Sequence, residues 1–75
     1  MSALFKSRGV TPSLATSNAL RGLVHVLGDR ALANELGQNR ATLARLIARL
    51  PVMPSVLIAT EAQLPAIVAR ETSAV

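Results

Sequence analysis

The stretch DRALANELGQNRATLARLIARL, Asp29 to Leu50, places four arginines and two acids between regularly spaced leucines, with one glycine near its middle. Arginine is the residue type here with the clearest chemistry. Its planar guanidinium offers five donors, and two of them match a guanine edge or a phosphate. The alternative chemistries are poorly supplied. The chain has no cysteine, a single histidine (His25) and no pair of acids placed to cooperate. Asp29 and Glu35 read as a helix cap and a helix surface residue, and no base stands near a serine or threonine to activate it. No catalytic residue, metal ligand or cofactor is therefore expected. Phe5 is the sole aromatic, which excludes recognition by stacking bases on aromatic platforms.

The charge distribution sharpens this. Residues 1–28 hold Lys6, Arg8 and Arg21 and no acid, giving +3. Residues 29–50 hold Arg30, Arg40, Arg45 and Arg49 against Asp29 and Glu35, giving +2. Residues 51–75 hold Arg70 against Glu61 and Glu71, giving −1. A basic excess in the first two thirds favours a polyanionic partner. The uncharged runs are too short to span a bilayer, and Lys6 and Arg8 are followed by no apolar core of a secretory signal. The acid-free start has some likeness to a mitochondrial presequence. The helical pattern runs straight on from it, so a cytoplasmic protein without membrane contact is the expectation.

The elements that must position these arginines follow from periodicity and caps. Residues 1–11 lack a period and read as a flexible basic arm, and residues 12–70 as one domain with a frayed tail at 71–75. Thr11-Pro12 or, later, Ser17 can start a first helix, whose stripe is Leu20, Leu23, Val24 and Leu27. Gly28 ends it and Asp29 caps the next, which turns Leu32, Ala33 and Leu36 inward. Gly37 ends that helix. Asn39 caps a third, about Arg40 to Leu50, with Leu43, Leu46, Ile47 and Leu50 buried and Arg40, Ala41, Ala44, Arg45, Ala48 and Arg49 outward. Pro51 and Pro54 break it. Beyond, two readings stand open. One is a helix from Ser55 to Leu64 with a further turn or two from Pro65; the other is a β-hairpin of VLIAT and PAIVAR.

A short helix, a glycine turn and a second, arginine-bearing helix form a helix-turn-helix pattern. Leu32, Ala33, Leu36, Gly37, Leu43 and Leu46 stand where that motif expects leucine, alanine, glycine and apolar residues. The chain thereby resembles the lambda-repressor-like DNA-binding domains, and over roughly residues 29–64 it looks most like the headpiece of the lac repressor family. GQNRATLARLIARLPVMPS also has that family's look of a recognition helix followed by a Pro-Val-x-Pro connection. The resemblance implies an all-α domain of four to five helices with its helix-turn-helix at about 30–50. It also implies that Arg40 and Ala41 begin the base-reading face, that Arg45 faces the groove one turn later, and that Asn39 and Thr42 lie near the backbone. The chain departs from the lac type in having a helix before the motif and in showing no ligand-binding domain after it.

The expected function is sequence-specific binding of duplex DNA by a small repressor that acts as a homodimer through operator occupancy. The DNA-binding set is Asn39, Arg40, Ala41, Thr42, Ala44, Arg45 and Arg49, with Lys6 and Arg8 on the arm; homeodomain arms of this kind reach a groove. The dimer argument rests on segment 52–70, where Val56, Leu57, Ile58, Leu64, Ile67 and Val68 offer more apolar surface than a 75-residue monomer hides comfortably. Two other classes fit the same residues. One is an antitoxin or phage-type inhibitor whose apolar last third binds a protein partner; the other is a nucleoid-type binder without sequence choice. Helix-glycine-helix spacing also occurs in bundles that bind no DNA.

Overall fold

A computed structural model describes residues 9–73. Among them are four helices and no strand: α1 (Leu14–Leu27), α2 (Asp29–Leu36), α3 (Arg40–Ile47) and α4 (Pro54–Ser73). The chain is all-α.

Helix α1 starts later than Thr11-Pro12 suggested and earlier than Ser17. Ser13 is its cap, and the Ser13 hydroxyl accepts from the Thr16 amide at 3.1 Å. Ser17 has other work, since its buried hydroxyl donates 2.8 Å to the Leu46 carbonyl at the end of α3. Gly28 then serves two helices. Its N–H closes α1 onto the Val24 carbonyl at 2.8 Å, and its own carbonyl accepts from Leu32 at 3.1 Å. Its φ of 89° and ψ of 153° lie in a region open essentially only to glycine. Because Gly28 is the cap, Asp29 is not. Asp29 is the first residue of α2, where a carboxylate opposes the positive end of the helix dipole.

Leu32, Ala33 and Leu36 are buried as their spacing predicts. Gly37 (φ 68°) ends α2 with two bonds: its N–H reaches the Asn34 carbonyl at 3.1 Å, and the Gln38 N–H reaches that of Ala33 at 2.9 Å. This is the Schellman arrangement, which needs a left-handed residue at the turn. Asn39 caps α3 through its Oδ1, which accepts from the Thr42 amide at 2.7 Å.

Helix α3 is shorter than expected. It ends at Ile47, and Arg49 adopts φ 59°, the one non-glycine residue with positive φ among those described. The same two-bond turn follows, from Arg49 N–H to Leu46 at 3.2 Å and from Leu50 N–H to Arg45 at 2.9 Å. Leu50 consequently leaves the expected buried stripe and is exposed, while Val52 supplies the next core side chain. Val52 also forms an antiparallel bridge with Val10, at 2.7 and 2.9 Å. Residues 9–11, expected to belong to a flexible arm, are thus docked at that bridge.

The hairpin reading of the last third is wrong, and so is a helix restarted at Pro65. Helix α4 is continuous through Pro65 and still helical over the expected frayed residues 71–73. Thr60, Leu64 and Ile67 recur at i, i+4 and i+7 and are the residues it buries. A strand would have put Ile67 on the face opposite Thr60 and Leu64. Pro65 is exposed, where water can replace the donor it removes. The core joins Leu20, Leu23, Leu32, Ala33, Leu36, Leu43, Leu46, Val52, Leu64 and Ile67 from all four helices and the 48–53 connection. No helix among the described residues is long and apolar enough to cross a membrane.

Candidate nucleic-acid interface

Helix α3 is held by its buried side and by its C-terminal end. Leu43 and Leu46 are almost fully enclosed. Two donors grip the far end, Ser17 on the Leu46 carbonyl and Arg21 on the Ile47 carbonyl at 3.4 Å, and just beyond it Arg49 Nε ties the turn to the Pro12 carbonyl at 3.0 Å. Carbonyls left over at a helix end must find such partners, and cations are favoured there. The helix therefore presents a fixed outer face.

That face has a simple composition. At about 100° per residue, Ala41, Ala44 and Ala48 lie opposite the buried leucines, and all three are exposed. Arg40 and Arg45 flank this alanine crest, about 140° apart around the axis. Each is tethered by the same edge of its guanidinium. Arg40 donates from Nε at 3.3 Å to Oδ2 of Asp29, and its Nη2 lies 3.2 Å from the same oxygen as an ion pair. Arg45 donates from Nε at 3.2 Å and from Nη2 at 2.6 Å to one oxygen, the carbonyl of Pro51. Grooves run along both flanks. One, of about 370 Å³, is lined by Thr42, Arg45, Pro51, Val52 and Met53. The other, of about 430 Å³, is lined by Arg21, Asp29, Arg40, Ala44 and Ile47.

The expected site residues thus divide. Asn39, Arg40, Ala41, Thr42, Ala44 and Arg45 come together on α3 and its cap. Arg49 does not join them, because its left-handed backbone turns it toward Pro12. Lys6 and Arg8 lie outside the described residues. The four acids are all engaged: Asp29 by Arg40, Glu35 and Glu71 by Arg70, and Glu61 by the Thr16 hydroxyl at 3.1 Å.

The expected dimer set divides as well. Leu64 and Ile67 are buried in the chain's own core, and Val56 and Leu57 pack partly against it. Those four are committed to folding the monomer, because α4 must bury one face to hold its place. Ile58, at 68% exposure, and Val68 are the members of the set that stay outside.

Polar contacts escaped the sequence reading, those of Thr60 and the Asp29–Arg40 pair among them. Thr60 is fully buried, donates to the Val56 carbonyl and accepts from Gln38 Nε2, both at 2.8 Å. A threonine in step with Leu64 and Ile67 was the available signal. The Asp29–Arg40 pair spans eleven residues and had none. Comparison of the chain with protein-family models, with curated proteins and with solved structures found no match.

Proposed function

We propose that the protein binds duplex DNA sequence-specifically, with α2, Gly37 and α3 as a helix-turn-helix and α3 as its recognition helix. It would act as a small repressor that occupies its operator as a homodimer. The observation that carries this reading is the outer face of α3, a methyl-only crest between two arginine forks. An eight-residue helix is about 12 Å long, and side chains no larger than methyl let it sit deep in a major groove about 12 Å wide. Alanine methyls there suit the C5-methyl of thymine, and a guanidinium suits guanine O6 and N7 or a phosphate. The anchoring of α3 by Ser17, Arg21 and Arg49 supports the reading too, because base readout needs a fixed approach. Selection of bound fragments from random duplex DNA tests it. A palindromic consensus is expected; a pool that stays random after several rounds refutes sequence recognition.

For the dimer, the exposed Ile58 and Val68 move the proposed contact to the outer face of α4, where Ala62, Pro65 and Ala69 are also exposed. The same face is what favours the second reading, a protein partner of another kind. Light scattering of the purified chain separates them, since a monomer at micromolar concentration leaves the face to a different protein.

A further inference from the structure

We propose that Asp29 is a positioning residue that presents Arg40 to a guanine, an inference that rests on the DNA-binding reading above. A guanidinium has two bonding edges. The side edge, Nε with Nη2, faces Asp29 Oδ2: Nε donates to it at 3.3 Å and Nη2 lies 3.2 Å from it as an ion pair. The end edge, Nη1 with the other N–H of Nη2, has no partner among the described residues. That open edge carries two parallel N–H donors and can fork across guanine O6 and N7.

The pair does little for the fold. Both side chains are more than half exposed, and an ion pair in that setting adds little to stability. Its effect is to choose one orientation for a long side chain before DNA arrives, so less freedom is lost on binding. Arg45 repeats the arrangement, its side edge bound to the Pro51 carbonyl and its end edge open. The difference lies in charge. Asp29 carries a negative charge toward a phosphate backbone, which weakens binding to any sequence. Asp29 therefore sacrifices general affinity for choice of base, and those two effects can be measured separately.

The probes are a duplex selected from a random pool by the unmodified protein, copies with each guanine changed to adenine, and a random duplex. On the unmodified protein, one guanine per half-site should carry a penalty of about tenfold when changed. Arg40→Ala should abolish that penalty. Asp29→Asn should remove most of it and bind the random duplex severalfold more tightly, while the melting temperature falls by only a few degrees because the charge at the start of α2 is lost. The double variant should lose no more discrimination than Arg40→Ala alone. In the free protein, the Arg40 Nε–H resonance should be slow to exchange and should become fast in Asp29→Asn, which reports the pairing without DNA. Retention of the guanine penalty in Asp29→Asn overturns the inference. So does an Arg40→Ala variant that weakens all duplexes equally and flattens the salt dependence, because Arg40 then meets phosphate. If the unmodified protein prefers no sequence at all, the DNA-reading proposal itself has failed, a result visible before any variant is made.

Discussion

Arg49 and Gly37 occupy the same place in two equivalent helix ends, and exchanging residues between them gives a sharp test. At both, a left-handed residue (φ 59° and φ 68°) lets two N–H groups return to the preceding turn. That conformation costs a residue with a Cβ roughly 1–2 kcal/mol. Arg49→Ala keeps the strain and loses the 3.0 Å bond from Nε to the Pro12 carbonyl, a loss of about 1 kcal/mol. Arg49→Gly loses the same bond but releases the strain, offset by about 0.5–1 kcal/mol of extra chain entropy on unfolding. The glycine variant should therefore be the more stable of the two by about 0.5–1 kcal/mol. Gly37→Ala should cost a similar amount. An added Cβ at Gly37 meets no atom within 4 Å, so the whole effect is backbone. Urea melts at one fixed protein concentration read these differences. With a slope near 1 kcal/mol per molar for so small a chain, the midpoints should separate by about 0.5–1 M. If α3 instead continued to Leu50, position 49 would be helical, and alanine would beat glycine by about 0.5–1 kcal/mol. An alanine variant equal to or better than the glycine variant refutes the left-handed assignment.

Arg45→Ala should weaken binding to the selected duplex by about 1–3 kcal/mol while changing binding to scrambled DNA less. Equal losses on both would make Arg45 a phosphate contact. Ile58→Asp should give a folded monomer, because that side chain is exposed, whereas Leu64→Asp should fail to fold, because it puts an unpaired charge into the core. Light scattering and circular dichroism together check both, and a dimer that survives Ile58→Asp places the contact elsewhere. DNA affinity should fall steeply between low and physiological salt. Removal of residues 1–8 takes away Lys6 and Arg8 while sparing the Val10–Val52 bridge, and it should flatten that slope; an unchanged slope would mean those two cations touch no phosphate.

Local chemistry wrote much of this fold into the sequence. The stripes Leu20/Leu23, Leu32/Ala33/Leu36 and Leu43/Leu46 name their buried faces, because side chains three and four residues apart share one side of a helix. Gly37 and Asn39 mark the turn between α2 and α3, since a left-handed backbone and an unpaired amide each call for a particular residue type. The crest of Ala41, Ala44 and Ala48 between two arginines follows from the same spacing. The tertiary structure decided what those signals leave degenerate. Residues 54–73 hold short β-branched runs that suit strand and helix alike, and burial of Thr60, Leu64 and Ile67 on one side selects the helix. The same burial withdraws Leu64 and Ile67 from any dimer contact. Arg49 is left-handed although its residue type argues against it, because the chain must turn there to bring Val52 into the core and Arg49 Nε to Pro12. The partners of Arg40 and Arg45, Asp29 across a helix pair and the Pro51 carbonyl beyond a turn, exist only once α2, α3 and the connection after α3 are packed. Periodicity fixes which side of a helix a residue faces, and only the packed chain fixes what it meets there.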